Sequence, residues 1–200
     1  MQAKGIAAVV LVACACVCAW ALAGQVSAPE KAPARAEAAG LQVSIRPEKA
    51  SFVAGEKMTF HTEFKNAGEA DLILNLGLML ANGKKQYPSA LILVLTDSAG
   101  NERKLQLMGP PGIAGRMDDL VVPLPAKAAF ILETSLGDYC CAESKEWRIA
   151  PAAGEYTIVA RYEGKAPQYI NNTGMEGVRL MPVLTGDVTS EPAAFSVSAD

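Results

Sequence analysis

Two adjacent cysteines, Cys140 and Cys141 in GDYCCAESKEW (137–147), are the residues of this chain best suited to covalent chemistry. In an oxidising compartment neighbouring thiols can close a small ring, which distorts the peptide between them and makes the bridge easier to reduce than a relaxed one. Cys140-Cys141 is therefore a candidate vicinal disulfide, serving either a redox-sensitive or soft-metal loop or a merely stiffened turn, the further reading being two thiols that are never oxidised. Copper is the metal such donors suit, because thiolate and thioether ligands favour Cu(I). Six methionines outside the N-terminal segment could join them: Met58, Met79, Met108, Met117, Met175 and Met181. Met58 nevertheless shares a core pattern with Phe60, and the others do not cluster like ligands. No metal site and no cofactor is expected.

The rest of the reactive inventory is thin. His61 is the chain's one histidine, which removes multi-histidine metal sites, His-dependent nucleophile sets and proton relays. It falls between Thr59 and Glu63 on what reads as the outward face of a strand. No G-x-S-x-G elbow, phosphate-cradling glycine loop or CxxC occurs. Asp118-Asp119 are the adjacent carboxylates, and neighbours on a strand point apart, so they do not form a glycosidase pair unaided. With Arg116 they read instead as a structural clamp holding the loop 109–119. An enzyme is not expected.

The N-terminus points to export. Lys4 precedes 19 uncharged residues, Gly5 to Ala23, and Ala21-Leu22-Ala23 offers small residues for cleavage before Gly24. Residues 1–23 thus read as a signal peptide, leaving a periplasmic or extracellular protein. The alternatives are an uncleaved membrane anchor and lipidation at Cys14 in the lipobox-like Leu11-Val12-Ala13-Cys14. Membrane contact is expected only through such an N-terminus. Residues 24–40 (GQVSAPEKAPARAEAAG) carry almost nothing large and apolar and read as a flexible Ala/Pro spacer. Removing the leader takes Cys14, Cys16 and Cys18 and leaves 17 basic residues against 21 acidic ones. That balance of −4 argues against a nucleic-acid partner, and a single cysteine pair means a core-held rather than disulfide-held domain.

Residues 41–200 carry the pattern of one domain. Leu41, Val43 and Ile45 alternate with polar residues, as do Met58, Phe60, Thr62 and Phe64, which is the period of half-buried strands. Further strands fit 72–80 (apolar on both faces), 91–96, 102–107, 120–124, 128–135, 145–149, 155–163 and 193–198. Turns are signalled at Asn66-Ala67-Gly68, Asn82-Gly83 and Asp97 to Asn101. Eight to ten short strands without an amphipathic helix predict an all-β fold, an immunoglobulin-like antiparallel β-sandwich. Tyr156, at the start of what reads as the penultimate strand, could close the corner before it by bonding back to the backbone. The segment 165–192 is long for a compact domain and carries Tyr169, Ile170, Met175, Leu180 and Met181, a candidate partner-contact loop or an extra hairpin over a sheet edge.

The opening LQVSIRPEKASFVAGEKMTFHTEFKNAG (41–68) and closing GEYTIVARYEG…GDVTSEPAAFSV (154–197) resemble bacterial exported immunoglobulin-like modules, although Leu184 stands where those often carry Trp. The F-x-x-G-E and K-N-x-G segments give a more distant likeness to BsuPI-type proteinase inhibitors. The first resemblance implies a non-catalytic exported binding or structural module, its partner an unknown protein or surface polymer. The second implies a proteinase inhibitor presenting a loop such as 108–118. A copper- or redox-responsive envelope protein using Cys140-Cys141 completes the alternatives.

Overall fold

The structure is a computed structural model and describes residues 40–81, 83, 85–108, 115–165 and 183–199. The chain divides into residues 1–34 and 35–200, and every described residue belongs to the second unit. The expected leader, its cleavage or lipidation site, and most of the spacer lie outside the described residues.

Alternation sets the frame. In β1 (Leu41–Pro47) Leu41, Val43 and Ile45 are buried while Gln42, Ser44 and Arg46 are exposed. β3 (Thr59–Asn66) buries Phe60, Thr62 and Phe64 and leaves His61 and Glu63 half-buried on the other face. Thr59, expected to face outward beside His61, is buried where it pairs with Ser135 of the neighbouring strand. β1 and β9 (Ala129–Ser135) flank β3 in the first sheet. The largest sheet runs β10-β7-β6-β11-β13-β2, with β12 also on β11. Its strands are β2 (Ser51–Val53), β6 (Leu91–Asp97), β7 (Glu102–Leu107), β10 (Tyr139–Cys140), β11 (Gly154–Gly164), β12 (Gly186–Thr189) and β13 (Ala193–Ser198). A third sheet pairs β4 (Leu72–Leu80) with β5 (Gln86–Tyr87) and β8 (Met117–Leu124). Among the described strands pairing is antiparallel except between β13 and β2, and one isolated parallel bridge joins Ile73 to Val183. The chain is an all-β sandwich.

The core face of β3 lies on the large sheet. Phe60 sits 5.2 Å from Phe195 of β13 and 6.0 Å from Phe52 of β2, centroid to centroid. Phe64 meets Tyr162 of β11 edge-on at 5.8 Å. At the end of β3 the buried Asn66 amide donates to Ala70 O at 2.8 Å and Leu124 O at 3.1 Å, while its Oδ1 accepts from Gly68 N at 3.0 Å. The Asn-Ala-Gly turn signal is thus also a buried tie joining β3 to the ends of two strands of the third sheet.

Three expectations need correction. The thirteen strands among the described residues exceed eight to ten because β2, β5, β10 and β12, of two to four residues each, were not anticipated. Residues 145–149 form no strand: Cys141 and Glu146 close a tight turn through two backbone bonds of 2.8 and 3.0 Å, and Lys145 takes φ 57° there. Finally, β4 is covered on both faces only over its first half, and its pairing with β8 shifts register between Asn75 and Leu78. Gly77 causes the break. It takes φ 134°, and a Cβ on it would lie 2.3 Å from Tyr87 O and 2.6 Å from Ser89 N. Only glycine lets β5 pack this closely.

The aromatic contact between sheets should dominate stability. Phe60→Ala is expected to cost about 3–5 kcal/mol in urea unfolding, the range for emptying a buried aromatic site. Arg116→Ala, at a side chain 78% exposed, should stay within about 0.5 kcal/mol.

Candidate functional site

Five elements enclose a space that no other described residue fills. A groove of about 540 Å³ is bounded by β5 through Lys85, Tyr87 and Pro88, and by β9 through Leu132, Glu133 and Thr134. Leu107, Met108, Asp138 and Tyr139, from β7, β10 and the 3₁₀ turn Leu136–Asp138, complete it. Each wall has a local cause. Gly77 seats β5, β9 hangs on β3, and β10 pairs with β7 through Tyr139↔Leu107 and Cys140↔Gln106. The lining is mainly apolar, with Met108 38% exposed, and charge is limited to Lys85, Glu133 and Asp138. That size and mixture are typical of ligand sites.

The groove also holds two polar groups without a match. Thr134 Oγ1 and Tyr139 Oη are buried and make no hydrogen bond. An unmatched buried hydroxyl costs roughly 1–3 kcal/mol, so such atoms are usually paired. Burial, then the neighbouring Asp138 charge, raises the Tyr139 phenol pKa, while a side-chain contact with the Thr134 hydroxyl lowers it. Nothing in the sequence marked either residue. Their juxtaposition comes from β9 and β10, which belong to different sheets.

The residues singled out in the sequence lie elsewhere. Cys140 and Cys141 are free thiols, the first half-buried and the second buried in the core. Cys140 ends β10, and Cys141 begins the tight turn that it closes with Glu146. Arg116 Nε donates to Asp118 Oδ1 at 2.8 Å. Asp119, next along the strand, is buried and takes part in a different contact, with Asn75 Nδ2 at 3.4 Å from its Oδ1. The proposed three-residue clamp is therefore one exposed ion pair plus a separate buried acid. Tyr156 Oη donates to Ala152 O at 3.0 Å, four residues upstream, on a strand that proves to be third from the end. Tyr169, Ile170, Met175, Leu180 and Met181 lie outside the described residues, as do 109–114 of the loop assigned to inhibition. Met58 is buried in the core and Met79 packs against it. Among the described residues no three His, Cys, Asp or Glu side chains are grouped to hold a metal ion, and no helix is long and apolar enough to cross a membrane.

No family model matches the chain and no curated protein matches it, so the likeness to BsuPI-type inhibitors rests on the quoted segments alone. Among solved structures, the sporulation control protein Spo0M of Bacillus subtilis aligns with 80% of this chain at 10% identity and a TM-score of 0.38. This chain spans half the length of that one. AvmM, which catalyses macrocyclisation in alchivemycin A biosynthesis, aligns with 80% of this chain and 89% of its own at 14% identity and a TM-score of 0.34. At such values neither carries a residue role, ligand or activity across.

Two outcomes follow from these placements. Native alkylation with iodoacetamide, mapped by peptide mass, should label Cys140 well before Cys141; equal rates would contradict the buried position of Cys141. Burial also pushes the Tyr162 phenol up to about 12, against a smaller opposing pull from Asn75 O. Phenols raised above their unfolded value leave stability intact below it and drain it as pH climbs toward the folded one. Urea midpoints should thus be level through neutral pH and fall above about pH 10, less steeply in Tyr162→Phe.

Proposed function

We propose that this chain is a non-catalytic binding module acting outside the cytoplasm, with the groove between β5 and β9 as its seat. The observation that carries the reading is the groove itself: apolar, open, of ligand size, and containing two buried hydroxyls that the fold does not satisfy. A core residue would bury those hydroxyls against partners, whereas a binding site leaves them for an incoming group. The reading moves the contact surface from the loop 165–192 to β5 and β9. Export rests on the charge and hydrophobicity pattern of residues 1–23. The non-catalytic character rests on a single histidine, half-buried on the far face of β3 from the core.

The test uses the purified full chain and 1-anilinonaphthalene-8-sulfonate as an apolar probe. Saturable fluorescence enhancement is expected, weakened about tenfold by Met108→Asp, which places a charge in the apolar lining. Trp147→Ser, at a side chain 71% exposed and outside the groove, should leave it unchanged. Enhancement indifferent to Met108→Asp would defeat the assignment. Turnover in a hydrolase screen that a groove mutation stops would defeat its non-catalytic half.

A further inference from the structure

The groove's two bounding strands are both sheet edges: β9 ends β1-β3-β9 and β5 ends β5-β4-β8. The phase of β9 is fixed by its bonds to β3. Leu136 N donates to Met58 O at 3.0 Å and Asn66 N to Ala128 O at 2.9 Å, one at each end of the ladder. Between them the register pairs Thr134 with Phe60, Leu132 with Thr62 and Phe130 with Phe64. Those are the residues whose backbone faces β3. Alternation then points the N–H and C=O groups of Ala129, Ile131 and Glu133 away from it, toward the open side.

A row of free backbone groups is a template for another strand, and folded proteins usually blunt it with Pro, Lys, a bulge or a covering loop. β9 reads AFILETS, with Glu133 as its one charge. Ile131 is 53% exposed on it. Edge and groove coincide, since Leu132, Glu133 and Thr134 belong to both.

We propose that the groove takes an extended peptide segment of a partner protein, added to β9 as a strand; this rests on the groove being the binding seat. Neighbouring strands lie about 4.8 Å apart, so the added strand would run beside β9 with one row of side chains lowered toward Leu107, Met108 and Tyr139. A single strand fits a channel that β5 also bounds. A second folded copy would bring its own sheets against β5. Pairing with Ile131 and Glu133 places the peptide's bonded residues on the solvent face, where a Lys or Arg can oppose Glu133. The intervening residues face the groove and should be small and apolar. Backbone pairing supplies the affinity and the groove-facing positions the selectivity.

The probe is the peptide Ac-Val-Thr-Val-Lys-Val-Thr-NH2, titrated calorimetrically into the full chain. Two controls carry N-methyl groups, one on the Thr and Lys amides and the other on the Val amides. Saturable binding is expected for the parent. Methylation of Thr and Lys should weaken it about tenfold or more, and methylation of Val should spare it. Ile131→Pro removes an outward donor while leaving the bonds to β3 intact, a substitution edge strands tolerate; it should weaken the parent similarly without altering the urea midpoint. Equal binding of both methylated peptides overturns the proposal, as does failure of the parent to bind. In either case dye binding that still depends on Met108 would leave the binding-module reading standing. Self-association that Ile131→Pro abolishes overturns it in favour of a second copy.

Discussion

The face-to-face burial of β3 on the large sheet is the contact on which the remaining architecture depends. Phe60 lies against Phe52 and Phe195, and Phe195 stacks in turn on Tyr156 at 5.5 Å. Four strands, two of them adjacent to a chain end of the domain, are thus held by rings that make no hydrogen bonds to one another. Further along, Phe64 on Tyr162 repeats the contact, and Asn66 then converts it into a polar tie to β4 and β8. With no disulfide among the described cysteines, this apolar layer carries what a cross-link would otherwise carry. Its energetics are those of aromatic area removed from water plus ring geometry.

The groove is a by-product of the same arrangement. Two of the three sheets meet the flank of the large one with an edge strand each, and edges do not pack as faces do. Gly77 draws β5 in, β9 stays attached to β3, and the space between them is left open above Leu107 and Tyr139. Charge around it is sparse and mixed. Elsewhere on the surface, ion pairs link β11 to β12 through Arg161–Asp187 at 2.6 Å and β7 to the turn at Glu146 through Arg103–Glu146 at 3.1 Å. Such partly exposed pairs contribute little each, and they account for many of the charged residues without invoking chemistry.

Long strands were legible because alternation is a property of one segment. β1, β3 and β11 announce themselves in LQVSI, MTFHTEF and GEYTIVARY. The short strands have no period to read: β5 and β10 are two residues each and exist because Gly77 and Leu107 await them. Residues 145–149 failed for the opposite reason, an apolar spacing of Trp147 and Ile149 that a left-handed Lys145 and a tight turn override. The candidate site was illegible because its parts are ordinary. A Thr and a Tyr become informative only when strands from two sheets bring them together without partners. The conspicuous cysteines, by contrast, sit at the end of β10 and the start of the turn after it.

The parallel pairing of β2 with β13 joins residues 51–53 to 196–198. β13 also lies between β2 and β11 and supplies Phe195 to the aromatic layer. Contacts of such long sequence separation form late, since the loop they close must be ordered first. Until residues 193–198 are in place, the layer lacks one of its rings and β2 lacks its neighbour.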